Sequence, residues 1–334
     1  VGRGPYGVAA RFHSSRLRHA CRPRDEPACT WVILVGKMSL FSEELTLFAI
    51  VLDSTSATPI PRLKEQGVSV VPLTVRFGEE EYIDGETMLP EEFFRRMAEY
   101  LPQGLPKTSC PAPGKFEQAF RAAAEGCEGV ICITLSSGVS DTHHSACMAA
   151  DICAQDGIKV EVIDSLAVQE GNSLMCEKAI RMRDAGATLE EAAEHMRRMA
   201  QEIQTIVALN QLDNLVKGGR IGKAAGVAAG LLNLKPILAL DKPDGVIETV
   251  TKSRGVKGLL KDCAAYVKSI EERQGPCEVR FSHSNALDRV DAFKAAFDAA
   301  GVAYNPEPSW MGPVIGTYTG ENAVVITTCP KELL

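Results

Sequence analysis

The sequence of 334 residues predicts an α/β fold with two domains, a parallel-sheet α/β domain followed by an α/β domain with a mixed sheet. In the first half, short apolar runs alternate with helical patterns of about ten to fifteen residues, which is typical of βαβ units. In the second half, Asp244-Gly245 separates two extended runs and indicates an antiparallel hairpin. We predict domains over residues 47–173 and 174–334, after an extension over residues 1–46 that is disordered or a start-site artefact.

The first half opens with a buried strand, LFAIVLD, which ends at Asp53 and continues into Ser54-Thr55-Ser56. The run 68–77 is also extended, and Pro72 within it predicts a sheet edge or a bend because proline cannot donate to a ladder. The other elements predicted in this half are helix 91–101, a helix around 116–124, strand 129–135, helix 140–154, strand 159–164 and helix 174–184.

The second half opens with a helix over 188–204, in which Ala192, Met196 and Met199 recur at helical spacing. A short helix, 212–217, is expected to end at the Gly218-Gly219 pair. The other predicted elements are strands 206–210, 235–240, 246–253, 277–283 and 323–328, and helices 255–273 and 290–299.

Composition excludes several classes of function. The net charge of −7 argues against a nucleic-acid partner, which favours a basic face. No run approaches the roughly 18 apolar residues of a membrane span, so we expect no stable membrane insertion. The 11 cysteines are scattered without a CxxC pair, which predicts reduced thiols in the cytoplasm and no metal site. Residues 1–37 are rich in arginine, and we interpret Met38 as the natural start.

The stretch CITLSSGVSDTHH, residues 132–144, joins a predicted strand to a predicted helix through a loop rich in hydroxyls. Ser140 is suited to cap that helix, whose first N–H groups and partial positive charge favour an anion. Thr108 and Ser109 stand at the entrance of another predicted helix. Because ligands of α/β sheets bind beyond the carboxyl ends of strands, these loops are expected to hold a carboxylate or a phosphate. The alternative is that the hydroxyls only cap helices and turn the chain.

Arg220, in the stretch KGGRIGK, is a candidate for binding the same anion, because a guanidinium binds carboxylates with two hydrogen bonds. The alternative is an ordinary surface arginine. No GxSxG motif surrounds the serines, and His143, His144 and His283 lack a motif that would make them a general base. We therefore predict no catalytic residue, and we interpret Asp84 in YIDG as a turn former.

Seven short stretches follow one another along the chain: DSTS at 53–56, VVPL at 70–73, TSCP at 108–111, LSSGVSDT at 135–142, VIDS at 162–165, GGRI at 218–221 and LLNLKPIL at 231–238. Together, and in this order, they resemble the DegV family, a family of fatty-acid-binding proteins that serve a bacterial fatty acid kinase. The resemblance implies one long-chain fatty acid between two α/β domains, without a cofactor. It places the carboxylate on Thr108, Ser109, Ser137, Ser140, Thr142, Arg220 and Tyr318.

The resemblance also implies that the protein is a carrier, not an enzyme, and presents the carboxylate to a separate fatty acid kinase that forms the acyl phosphate. Three residues depart from the family's pattern. Asp141 adds a negative charge beside the expected site, Cys110 stands in place of a glutamine, and Tyr318 stands in place of a histidine. A tyrosine keeps one hydrogen bond but does not become a cation.

Two alternatives remain open from the residues alone. One is an enzyme that acts on a small acyl or phosphorylated substrate and uses the serine loop as an anion hole. The other is a regulatory protein that senses a lipid.

Overall fold

The computed structural model of the chain describes residues 48–228 and 234–334. The predicted N-terminal extension and the proposed start at Met38 lie outside the described residues. The strands are β1 Ala49–Asp53, β2 Val68–Val71, β3 Thr74–Phe77, β4 Glu80–Ile83, β5 Lys107–Ser109, β6 Val130–Thr134, β7 Val160–Asp164, β8 Gln204–Ala208, β9 Leu234–Leu240, β10 Ile247–Arg254, β11 Cys277–His283, β12 Ser309–Trp310 and β13 Val324–Pro330. The helices are α1 Ile60–Glu65, α2 Pro90–Tyr100, α3 Pro113–Ala123, α4 Thr142–Gln155, α5 Glu170–Asp184, α6 Leu189–Glu202, α7 Asp213–Lys217, α8 Ala225–Ala228, α9 Gly255–Gln274, α10 Leu287–Ala300 and α11 Pro313–Thr319.

A four-stranded sheet in the order β2-β1-β6-β7 forms the first layer, and every pair in it is parallel. Its central strands are apolar on both faces because helices cover both. Ile50 and Leu52 pack with α5 and α6 on one face, and Val51 packs with α3 and α4 on the other. The parallel α/β layer predicted for the first half is confirmed.

The extended run 68–77 divides between two sheets. Its first part, β2, is an edge strand of the parallel sheet, and its second part, β3, is the centre of a three-stranded antiparallel sheet in the order β4-β3-β5. Pro72 lies at the division, in agreement with the predicted edge or bend. This small sheet carries Thr108, which pairs with Val75.

A six-stranded sheet in the order β10-β9-β8-β13-β11-β12 forms the second layer. Its pairs are antiparallel except for β11 and β12, so the predicted mixed sheet is confirmed. Helices α9 and α10 cover one face of this sheet, with Phe281, Phe293 and Phe297 in the core between them.

Helix α5 lies between the two layers and contacts β1 and β6 of the first sheet and β11 and β13 of the second. The division after residue 173 stays a prediction, and it falls within this helix. No helix in the described ranges is long and apolar enough to cross a membrane.

Residues of the loop between β9 and β10, in the second layer, form hydrogen bonds with residues of the first layer. Ser136 donates its hydroxyl to the Gly245 carbonyl at 2.7 Å. The ammonium group of Lys242 donates to the carbonyls of Leu166 at 2.9 Å and Ala200 at 2.6 Å. Burial lowers the pKa of Lys242 to about 8. These contacts fix the position of the serine loop, residues 135–142, against the second sheet.

Candidate functional site

A cavity of about 360 Å³ lies between the three-stranded sheet, the serine loop, the six-stranded sheet and α11. Its volume is at the lower end of the range of about 300–1,000 Å³ that is usual for small-molecule sites. Its wall is formed by Leu73, Thr108, Ser109, Cys110, Leu135, Val139, Ser140, Asp141, Val168, Val207, Leu215, Arg220, Leu240, Ile247, Val314, Ile315, Tyr318, Thr319 and Val325.

Five polar residues of the wall, all predicted from the sequence, keep some exposure to solvent and mark its mouth, which we call the head end: Thr108, Ser109, Ser140, Arg220 and Tyr318. The wall also contains the exposed Cys110 and Asp141 and the buried Thr319. The hydroxyls of Thr108 and Tyr318 are 2.6 Å apart. Thr108 is half-buried in the middle of β5, and Tyr318 lies in the last turn of α11. The two halves of the molecule thus meet through hydroxyl groups at this mouth.

Arg220 follows α7 and the glycine pair that ends it, as the sequence predicts. Its guanidinium carbon lies 5.2 Å from the centre of the Tyr318 ring, a cation–π arrangement. Its Nη1 donates to the carbonyl of Gly218 at 2.8 Å, and its Nε donates to the carbonyl of Val139 at 3.4 Å. A Cβ at Gly218 would lie 2.5 Å from the Tyr318 ring, so the ring requires glycine there. The exposed Arg220 places a positive charge at the head end.

Ser140 does not cap α4 as predicted, because the helix begins at Thr142 and its N-cap residue is Asp141. The Ser140 hydroxyl accepts the backbone N–H of Thr142 at 3.3 Å and lies 2.9 Å from the Thr142 hydroxyl. Asp141, between them, is exposed and lines the cavity. The two residues that precede α4, Ser140 and Asp141, therefore line the head end, and one of them is a carboxylate.

Ser137 and Thr142 lie outside the cavity wall, so we leave these two predicted residues out of the proposed carboxylate site. Ser137 is exposed, and its backbone N–H donates to the Asp164 carboxylate at 3.1 Å. Thr142 is fully buried in the first turn of α4, with its hydroxyl directed to Ser140. The side chains of neighbouring residues in this loop point in different directions, and the sequence alone does not show which of them face the cavity.

The rest of the wall is apolar except for Thr319, and sequence reasoning did not assign it to a site. Val207 of β8 and Val325 of β13 are paired across the second sheet, and Leu240 and Ile247 flank the β9–β10 loop. Val168 comes from the segment that precedes α5. The sequence signal that could have identified this wall is the alternation of side chains along the strands, because alternate residues lie on the same face of a sheet.

His143 and His283, which the sequence analysis considered as a general base, contact residues outside the cavity wall. His143 Nδ1 lies 3.1 Å from the Thr134 hydroxyl, and its Nε2 lies 3.5 Å from Cys147 Sγ. Burial lowers the pKa of His143. His283 is buried, with its ring centre 4.6 Å from that of Trp310. No histidine of the described ranges lines the cavity.

Asp84 connects the first layer to α11, which carries Tyr318. This carboxylate is buried; it accepts the Ser54 hydroxyl at 2.7 Å and the Val314 backbone N–H at 3.3 Å. Burial raises the pKa of Asp84 to about 7. The interpretation of Asp84 as only a turn former is therefore incomplete, because it bonds to the first turn of a helix 230 residues away.

Comparison with known proteins gives consistent matches over the described chain. The model of the DegV family matches residues 47–331. A DegV domain-containing protein of Caldanaerobacter subterraneus is 32% identical over 275 residues, which are 82% of this chain and 96% of that protein. A structure of fatty acid binding by a DegV family protein from Thermus thermophilus has a TM-score of 0.77 at 28% identity, and covers 85% of this chain and 99% of that one. A stearic acid-binding protein from Eubacterium ventriosum has a TM-score of 0.76 at 27% identity, and covers 86% and 100%.

Proposed function

The chain belongs to the DegV family, and from this premise we propose that it binds one long-chain fatty acid in the cavity between its two layers. The acyl chain lies along the apolar wall, and the carboxylate lies at the head end. The observation that carries this proposal is the distribution of polarity in one cavity, with hydroxyls, a guanidinium and the Asp141 carboxylate at the mouth and, apart from Thr319, aliphatic side chains elsewhere. A slot that is mostly apolar with a few convergent polar groups is what a fatty acid requires.

The carboxylate is held by Thr108, Ser109, Ser140, Arg220 and Tyr318. Hydroxyl groups donate hydrogen bonds to a carboxylate without adding charge. The positive charge of Arg220 offsets the negative charge of the ligand's carboxylate. Tyr318 contributes its phenol, which shares a hydrogen bond with Thr108 in the described structure.

The protein presents this carboxylate to a separate fatty acid kinase, which forms the acyl phosphate, and does not itself catalyse the reaction. What supports this part of the proposal is the exposure of the head end, where Ser109, Cys110, Asp141 and Arg220 are all open to solvent. A carboxylate held there is within reach of another protein. We place the protein in the cytoplasm, since the nine described cysteines are all free thiols.

Protein expressed in bacteria and purified without denaturant is expected to carry about one fatty acid per chain, because the tightly bound ligand is retained. Organic extraction followed by mass spectrometry measures the bound lipid. Recovery of empty protein that also fails to bind added palmitate or oleate would refute the proposed function.

Replacement of Arg220 by alanine is expected to weaken fatty acid binding about tenfold. A charge-assisted hydrogen bond contributes about 1.5–3 kcal/mol, and the exposure of Arg220 places it at the lower end of that range. Titration with a fluorescent fatty acid measures the dissociation constant. Ser137→Ala is the matched control, because this residue is outside the wall and should leave the constant unchanged. Equal affinity of Arg220→Ala and the wild type would remove Arg220 from the site.

A further inference from the structure

Four buried polar side chains lie beyond the apolar wall of the cavity. The hydroxyls of Thr205 and Thr327 have no hydrogen-bond partner within the described ranges, and the same holds for both amide atoms of Gln169 and for Oδ1 of Asn172. All four residues are fully buried. Because unpaired buried polar atoms are rare in proteins, each of these requires an explanation. We call these residues the tail-end polar cluster.

The cluster continues the sheet face that forms part of the cavity wall. Val207 pairs with Val325 across β8 and β13, and both line the cavity. Thr205 pairs with Thr327 in the same two strands. Alternate residues of a strand share a face and each residue advances about 3.3 Å, so the threonines lie roughly 7 Å beyond the valines on the same face. The threonines do not line the cavity themselves, and an acyl chain that extends past the two valines along this face would reach them.

The first turn of α5 covers this row from the other layer. A Cβ at Gly171 would lie 3.9 Å from the Thr205 hydroxyl. Val168 lines the cavity, and Gln169 is the next residue. Gln169 has a φ of 55°, which is uncommon for a residue other than glycine, and its N–H donates to the Thr55 carbonyl at 3.1 Å. The chain thus turns between the cavity wall and the cluster.

We propose that the tail-end polar cluster is a subsite for a hydroxyl group near the methyl end of the acyl chain. The ligand class of this protein is then the hydroxylated long-chain fatty acids. This inference rests on the proposed function. A hydroxyl both donates and accepts, which matches two threonine hydroxyls, a glutamine amide and the Asn172 oxygen.

A second carboxylate at this end of the ligand fits poorly. Asn172 donates through Nδ2 to the Thr55 hydroxyl at 3.1 Å, and that hydroxyl donates to the buried carboxylate of Asp53 at 2.6 Å. No cationic side chain of the described ranges bonds to the four residues of the cluster. An additional buried anion would be unpaired next to an acidic residue, so the subsite selects a neutral oxygen.

The test compares saturated fatty acids with their ω-hydroxy derivatives of the same chain length, in titrations of the delipidated full chain. At the length that reaches the cluster, the ω-hydroxy acid is expected to bind about tenfold tighter than the plain acid. If the slot is entirely apolar, the ω-hydroxy acid should bind more weakly than the plain acid at every chain length, because the buried hydroxyl loses its hydration without compensation. Weaker or equal binding of the hydroxy acid at every length would overturn the proposal.

The double variant Thr205→Val with Thr327→Val keeps the side-chain shape and removes both hydroxyls. It is expected to abolish the preference for the hydroxy acid, and a retained preference would overturn the assignment to these residues. The plain fatty acids distinguish this inference from the proposed function. If they bind and the hydroxy acids show no advantage, only the subsite is wrong, whereas failure of both series to bind refutes fatty acid binding itself.

Discussion

Replacement of Asp84 by asparagine is expected to remove much of the loss of stability that burial of this carboxyl should cause as pH rises from about 4 to 8. The pKa of Asp84 is about 7 in the folded chain and 3.8 in the reference state. Between these values the folded state binds more protons than the unfolded state, so the free energy of unfolding falls as pH rises. Full ionisation of this group costs on the order of 4 kcal/mol, since each pKa unit corresponds to about 1.4 kcal/mol.

Asparagine has nearly the same shape as aspartate and keeps an oxygen that accepts the Val314 N–H. Urea unfolding at a series of pH values measures the effect. The variant should be more stable than the wild type at pH 8, and the difference should become small near pH 4, where the wild-type carboxyl is protonated in the folded state and about half protonated in the unfolded state. Glu86→Gln is the control, because Glu86 is an exposed partner of Lys64 and should change the profile little. Parallel profiles for Asp84→Asn and wild type would show that the buried carboxyl does not titrate in this range.

The architecture follows from local patterns, which is why the sequence predicts it well. Apolar runs separated by helical periods specify the parallel sheet, and the Asp244-Gly245 turn specifies an antiparallel pair. The polar residues of the head end could also be predicted, because hydroxyls near helix starts and an arginine after a glycine pair are recognisable in the sequence. What it lacks is side-chain direction. Ser137 and Ser140 are three residues apart in one loop, and only Ser140 lines the cavity.

Contacts between the layers are the part that no local pattern predicts. Asp84 has the spacing of a turn residue, yet it bonds to the first turn of α11 across the molecule. Thr205 and Thr327 are common strand residues, and their unpaired state depends on what α5 places opposite them. Such features arise where segments distant in the sequence pack together. The tertiary structure then determines which polar groups are buried and which of them find a partner.

Replacement of Gly138 by alanine is expected to lower the free energy of unfolding by roughly 2–4 kcal/mol. A Cβ at this position would lie 2.3 Å from the Gly245 carbonyl carbon and 2.4 Å from its oxygen. These are backbone atoms of the β9–β10 loop, so the loop must move away from the serine loop. Overpacking costs about 1–3 kcal/mol, and the hydrogen bond from Ser136 to Gly245 contributes about 1 kcal/mol that is lost with it.

The same displacement affects the ligand site, because Leu240 and Ile247 flank this loop and line the cavity. Fatty acid affinity should therefore fall together with stability in Gly138→Ala. Gly114→Ala is the matched control: nothing lies within 4 Å of a Cβ there, and the residue is in the first turn of α3. That control should keep wild-type affinity and lose no stability, since alanine favours helices over glycine. If Gly138→Ala were as stable as the control, the two loops would have to be farther apart than described, and the contact that closes this side of the cavity would be absent.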